Sequence, residues 1–207
     1  MVKLKTEQEK FWAGEFGDEY ASRNRGNRFI ASQINFFSGI LEKTSSIKSV
    51  CEFGANIGEN LRAIKLLKPD VSLCAVEINR VAADEIKKWK AGRVKVYTQS
   101  IIDFKVDKKR DFVFVKGVLI HINPEKLSKV YEKLYKASSK YICLGEYYNP
   151  SPVGIDYRGH RDRLFKRDFC GELMKKYPNL ELIDYGFCYH GDSNFPQDDI
   201  TWFLLKK

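Results

Sequence analysis

The chain has no run of about 18 apolar residues, the length a membrane-spanning helix needs, so no membrane span is expected. It has only five cysteines in 207 residues, an odd number with no Cys-x-x-Cys pair. A disulfide framework and a zinc ribbon are therefore not expected. Cys51, Cys74 and Cys143 each lie in an apolar run, where cysteine acts as a small hydrophobe. No grouping of His, Cys and carboxylates has ligand spacing, so no metal is expected. There is no repeat, no low-complexity tract and no long linker, which predicts one domain over residues 1–207. Residues 1–10 are polar and lack the apolar core of a signal peptide, so the expectation is a reduced, soluble, cytoplasmic protein.

What is present narrows the class. Hydrophobic residues at 43 % and aromatics at 14 % exclude a disordered chain. A net charge of +9 suits an acidic small substrate, a nucleic acid, an anionic surface, or solubility alone.

Thr6-Glu7-Gln8-Glu9 fits a capping box and predicts a helix through Phe11 and Trp12, weakened by Gly14 and Gly17. Apolar periodicity predicts a second helix over 28–41. Strands are expected at 48–53, 71–78, 93–97, 111–115 and 141–146. Helices at 57–67 and 81–89, and one opening at Asn123-Pro124 and running to about Ala137, alternate with them. Residues 147–167, rich in Tyr, Pro and Arg, read as a loop. A helix at 168–177 and strands at 180–185 and 201–205 complete the chain. The alternation over 48–146 calls for a parallel sheet with helices on both faces. The last two strands have no helix between them, so one antiparallel strand is expected.

The segment Val50-Cys51-Glu52-Phe53-Gly54-Ala55-Asn56-Ile57-Gly58 runs from a strand through a glycine loop into a helix. Ligands of doubly wound sheets bind at such turns. The dinucleotide fingerprint is Gly-x-Gly-x-x-Gly, whereas here the spacing is Gly-x-x-x-Gly, with Asn56 in the middle position. Glu52 at the strand end is a poor neighbour for a phosphate and a good one for an ammonium group. Glu77, at the end of the second strand, is placed to accept both hydroxyls of a ribose. A nucleoside carrying a cationic amino-acid tail satisfies both acids, and S-adenosylmethionine has those parts.

These residues resemble the first two motifs of the class I S-adenosylmethionine-dependent methyltransferases. The resemblance implies a Rossmann-like three-layer α/β/α sandwich with a mostly parallel seven-stranded sheet and one antiparallel strand. It places Gly54, Ala55, Asn56, Gly58, Glu77 and Ile78 at the cofactor with Glu52. Ser100 and Ile101 fall at the adenine, though the superfamily often has an acid at the position of Ser100. Lys116-Gly117-Val118-Leu119-Ile120-His121-Ile122 resembles the fourth motif, near the methionine portion, with Lys116, Gly117 and Val118 as contacts.

A second resemblance spans nearly the whole chain. Phe11-Trp12-Ala13-Gly14-Glu15-Phe16-Gly17-Asp18-Glu19-Tyr20, Asp156-Tyr157-Arg158-Gly159-His160-Arg161-Asp162 and Phe195-Pro196-Gln197-Asp198-Asp199-Ile200-Thr201-Trp202 are similar to segments of the pseudaminic acid biosynthesis-associated methylases. That implies methyl transfer to a nonulosonic acid, as the free sugar, its nucleotide-activated form or a precursor, on the way to flagellin or surface glycans.

Methyl transfer from a sulfonium is an in-line displacement in which positioning supplies most of the acceleration, and a base for the acceptor's proton adds to it. The candidates are His121, past the fourth strand, as a base or a substrate contact, and Glu146, ending the fifth and facing the same crevice, as the residue that positions the substrate. Tyr147, Tyr148, Tyr157, Arg158, His160 and Arg161 are the candidate substrate contacts, since arginine forks match a carboxylate or a phosphate. Trp12, Phe16 and Tyr20 recur at fourfold spacing, as core or as the face of a lid within residues 1–45, with Trp12 and Tyr20 over the cofactor. Arg23 and Arg25 follow and face the cofactor carboxylate in that reading. His190 reads as a loop residue.

Residues 48–146 are thus the expected cofactor core, 147–167 the substrate loop and 168–207 a terminal helix and strand pair. Three rivals remain. A nicotinamide oxidoreductase fails on the glycine spacing and lacks Tyr-x-x-x-Lys. An RNA or other nucleic-acid methylase lacks the Asn/Asp-Pro-Pro-aromatic signature and an appended binding domain. A non-catalytic binding protein would hold cofactor without turnover.

Overall fold

The computed structural model describes residues 4–23 and 26–207; Arg25 lies outside them. The chain opens with α1 (Glu7–Ala13) and α2 (Glu15–Tyr20), followed by α3 (Asn27–Glu42). Then β1 (Ser49–Phe53), α4 (Glu59–Leu67), β2 (Ser72–Glu77), α5 (Arg80–Lys88) and β3 (Lys95–Thr98) alternate. β4 (Arg110–Lys116), α6 (Leu127–Ala137) and β5 (Ser138–Glu146) continue the pattern. After these come β6 (Val153–Tyr157), β7 (His160–Lys166), α7 (Phe169–Lys176), β8 (Glu181–Cys188) and β9 (Ile200–Lys206).

The main sheet has seven strands in the order β3-β2-β1-β4-β5-β9-β8. β9 is the antiparallel strand, paired against both β5 and β8. Strand residues alternate between two cores, as the pleat requires. Phe112 and Phe114 of β4 pack with Phe37 and Ile40 of α3 and Leu61 and Ile64 of α4. Val113 and Val115 pack with Val130 and Leu134 of α6 and Leu173 of α7. The result is the expected α/β/α sandwich. Cys51, Cys74 and Cys143 are all buried in these cores.

Three local departures from the sequence reading have physical reasons. The first helix breaks in two because Gly14 is extended, at φ −102° and ψ −159°. The helix expected from 57 starts at Glu59, because Asn56 (φ 45°) and Gly58 (φ 85°) are left-handed. The segment 147–167 is not a loop throughout: β6 and β7 form a two-stranded hairpin. Its turn is Arg158-Gly159, whose φ values of 51° and 84° are the positive pair a type I′ turn needs. Most of the hairpin's residues are exposed on both faces, so no hydrophobic alternation marks it in the sequence. The hairpin leans on α1: Gln8 Nε2 donates to the Asp162 carbonyl at 2.9 Å, and His160 packs on Phe11 at 4.9 Å between ring centroids.

Candidate functional site

The C-terminal ends of β1, β2 and β4 and the turn after β3 open onto one cavity of about 550 Å3. Trp12 and Tyr20, from α1 and α2, form part of its wall. The glycine loop brings backbone to the cavity. Gly54, Ala55 and Asn56 line it, and Gly54 N–H donates to the Val76 carbonyl at 2.7 Å. A Cβ on Gly54 would lie 2.5 Å from Val118 Cγ2, so the loops after β1 and β4 meet here only because this residue is glycine. Gly58 does not reach the cavity wall; it makes the left-handed turn into α4, where a Cβ would lie 3.1 Å from Ile86.

Glu77 lines the cavity and is 7 % exposed. Its Oε2 accepts from Asn56 N–H and its Oε1 from Asn79 N–H, each at 2.7 Å. Burial raises its pKa, and the backbone N–H groups of Asn79, Asn56 and Ile78 oppose the rise. A carboxylate has about four acceptor positions, so Glu77 ties two loops together and keeps capacity for a ligand's hydroxyls. Ile78, Ser100 and Ile101 share the wall.

Glu52 departs from expectation. It is fully buried and not part of the cavity wall. Its Oε1 accepts from Asn60 Nδ2 at 2.6 Å, and burial pushes its pKa well above the usual carboxylate value. Asn60 does line the cavity, so any influence of Glu52 on a ligand passes through that amide.

Glu146 also lies off the wall. Its Oε1 accepts from Val118 and Leu119 N–H at 3.0 Å each, and its Oε2 from Val118 N–H at 3.1 Å and Ile120 N–H at 3.3 Å. Burial lifts its pKa to about 7 against those donors. The geometry makes it a clamp on the loop that presents Gly117 and Val118, rather than a contact for the reactants. Gly117 itself is left-handed, at φ 64°.

His121 lies on the wall, packed against Trp12 and Tyr157 at 4.6 and 4.8 Å between centroids. Its Nδ1 lies 2.5 Å from the Arg163 carbonyl, which can only accept, so Nδ1 carries the proton and Nε2 is left as an acceptor. Burial lowers its pKa to about 4, so the ring is neutral at physiological pH. Lys116 Nζ donates to Gln197 Oε1 at 2.9 Å and has no ion pair among the described residues. Burial lowers its pKa.

The substrate candidates divide. Tyr147, Tyr157 and Arg158 line the cavity, as does Arg23. Tyr148 does not: it is 44 % exposed and packs near Phe203, because adjacent residues of an extended chain point opposite ways. His160 and Arg161 also lie off the wall, beyond the Arg158-Gly159 turn. The sequence reading missed Glu9, Asn60, Gln197, Asp198 and His190, which all line the cavity. Gln197 and Asp198 fall in the quoted 195–202 segment, a signal that was available. His190 is on the loop expected for it, but its Nδ1 is 2.9 Å from both carboxylate oxygens of Asp199, a pairing nine residues apart that no local pattern announces. Among the described residues, no group of three or more His, Cys, Asp or Glu gathers to hold a metal.

No family model and no curated protein matches the chain. Solved structures do. Magnesium protoporphyrin IX methyltransferase from Synechocystis PCC 6803, with S-adenosylmethionine bound, is similar at TM-score 0.66 and 10 % identity over 100 % of both chains. The 1,6-didemethyltoxoflavin-N1-methyltransferase of Burkholderia thailandensis, with its substrate and S-adenosylhomocysteine bound, matches at 0.68 and 13 %, over 100 % of this chain and 92 % of that one. An S-adenosylmethionine-dependent methyltransferase from Clostridium acetobutylicum ATCC 824 matches at 0.64 and 13 %, over 92 % and 97 %. At such identities the likeness establishes the fold, which is that of the class I methyltransferases. The nearer resemblance to pseudaminic acid methylases rests on sequence segments alone. Among the described residues no helix is long and apolar enough to cross a membrane.

Proposed function

We propose that the protein transfers a methyl group from S-adenosylmethionine to a small anionic acceptor, an acidic sugar of the nonulosonic type or its nucleotide-activated form. The observation that carries the cofactor reading is Glu77, held by two backbone N–H groups at the end of β2 with acceptor positions left for a ribose. The cofactor supplies an electrophilic methyl on a sulfonium. The chain holds the two partners in line and keeps water out, and such positioning is worth up to about 7–11 kcal/mol.

The acceptor reading rests on charge. The acids Glu9, Glu59 and Glu77 belong to α1 and the β1 and β2 ends, whereas Arg23, Lys116 and Arg158 bring three positive charges to the same cavity, offset there, among the described residues of the wall, by Asp198 alone. Removal of a proton from the acceptor falls to an imidazole. His121 presents Nε2, and His190, with Nδ1 held by Asp199, is left with Nε2 free to accept.

Titration calorimetry of ligand-stripped protein with S-adenosylhomocysteine tests the cofactor half: saturable heat is expected, and its absence removes the reading. For the acceptor, carboxylated sugars, free and nucleotide-activated, are assayed for methyl uptake. Arg158→Ala is expected to raise the acceptor KM about tenfold, the effect of one charged hydrogen bond. Arg161→Ala is expected to leave it unchanged, because that side chain lies off the wall. Equal effects of the two would demote the hairpin to general electrostatics.

A further inference from the structure

Glu9, on α1, lines the cavity and is 5 % exposed. Its Oε2 is fully engaged, accepting from Lys5 N–H at 2.7 Å, Thr6 N–H at 2.8 Å and the Thr6 hydroxyl at 3.2 Å. That is the capping box read from the sequence, closed by Glu9 N–H donating to Thr6 Oγ1 at 3.1 Å. Capping uses one oxygen. The other, Oε1, is buried and has no partner among the described residues. A buried acceptor without a donor is costly, and the cap gives no reason for burying it at a cavity wall.

The position of that oxygen suggests its donor. Lys5, which binds Glu9 through its N–H, pairs through Nζ with Asp103, so the start of α1 is fastened to the turn after β3. That turn supplies Gln99, Ser100, Ile101 and Ile102 to the same wall as Glu9. β3 is the next strand outward from β2, so the turn after it is within the same wall for a base attached to a ribose held on Glu77. Ile78 and Ile101 offer apolar surface to a flat ring there. No carboxylate of the turn is free to accept from such a ring. Asp103 is paired with Lys5 and does not line the cavity, and Ser100 Oγ already accepts from Ile102 N–H at 3.1 Å.

We infer that Glu9 Oε1 accepts a hydrogen bond from the exocyclic amine of the cofactor's adenine, which makes α1 a specificity element of the nucleoside site. This rests on the cofactor reading proposed above. It goes beyond that reading by assigning base selection to a residue outside the sheet and its strand-end loops.

Two ligands that differ at that edge of the base test it: S-adenosylhomocysteine and S-inosylhomocysteine, whose base carries a carbonyl in place of the amine and a proton on N1, with the purine analogue that has hydrogen at C6 as the control that lacks the amine alone. Wild-type protein should prefer the adenosyl compound by about tenfold or more, the effect of one hydrogen bond to a charged group. Glu9→Gln is the informative variant. Its amide oxygen can stay on the Lys5 and Thr6 donors, which places the NH2 group where Oε1 was. That group repels an amine and donates to a carbonyl, so the preference should invert. A structural role for Glu9 would weaken both ligands equally and leave the ratio alone. An unchanged preference for the adenosyl compound in Glu9→Gln overturns the assignment while the cofactor reading stands. Binding of neither compound by wild type removes both. Should Glu9→Gln not fold, Glu9→Asp serves: its carboxylate is too short to cap and reach the base together, and the ratio should fall toward one. A wild type that binds both compounds equally overturns the inference without any variant.

Discussion

Replacing Glu77 by alanine is expected to weaken S-adenosylhomocysteine binding by about 10²–10⁴-fold, the effect of two lost hydrogen bonds to a charged group. The reason is double duty. Glu77 accepts from Asn56 and Asn79 N–H, and with the same oxygens it is the proposed ribose acceptor. Alanine removes the acceptor and also releases the backbone of the 54–58 loop. Two backbone donors would lose their partner at a cost of about 1–3 kcal/mol each where they remain buried. The variant is therefore expected to unfold at lower urea concentration as well as to lose ligand. Calorimetry on folded material separates the effects. Glu77→Gln keeps one acceptor oxygen and should fall between the two. Wild-type affinity in Glu77→Ala would move the nucleoside away from β2.

The second large effect concerns pH. Glu146 has its pKa raised to about 7 in the fold, chiefly by burial. The unfolded chain leaves it near the ordinary value of about 4.3. Between those values the folded state binds a proton that the unfolded state does not, so stability rises as pH falls from about 8 toward 4. The full swing is on the order of 3 kcal/mol, and Glu52 and Glu77, also raised by burial, act in the same direction. His121 acts oppositely. Its pKa is lowered to about 4, so below about pH 6.5 the unfolded chain binds a proton the fold refuses, and stability is lost as pH falls. Wild type should therefore gain stability from pH 8 to about 6.5 and level off below it. Glu146→Gln should lose part of the gain above pH 6.5 and keep the His121 loss below it. Urea midpoints at pH 8, 6.5 and 5 check this. A Glu146→Gln profile parallel to wild type above pH 6.5 would mean that the carboxylate titrates at its ordinary value.

The sheet and its flanking helices were legible because their physics is local. Strands buried on both faces read as short apolar runs, and helices packed on them repeat every 3–4 residues. Both patterns are clear from β1 to β5. Gly54 and Gly58 announced the turn, and Glu77, the proposed ribose acceptor, stands at the end of the next strand. The β6–β7 hairpin was opaque because most of its residues face solvent on both sides, so burial writes no pattern into them. Glu146 was placed at the right strand end, but its carboxylate lies off the cavity wall on backbone donors. Its partners, Val118 to Ile120, are 26 to 28 residues earlier in the chain, and only the pairing of β4 with β5 brings them under its carboxylate. Glu52 was misjudged similarly, since a strand-end position does not say whether the next helix will cover it, and Asn60 of α4 does.

By itself the sequence determined the layered α/β architecture, the glycine turn and the acid at the end of β2, because each follows from periodicity or from φ values that neighbours in the chain impose. The tertiary structure decided which side chains face the cavity. It turned Glu52 and Glu146 into buried supports, kept His121 neutral against a carbonyl, paired His190 with Asp199 and brought Glu9 from the N-terminal helix to the wall. Those outcomes depend on contacts between residues far apart in the chain. Their energies come from desolvation and from hydrogen-bond partners that exist only once the layers have closed.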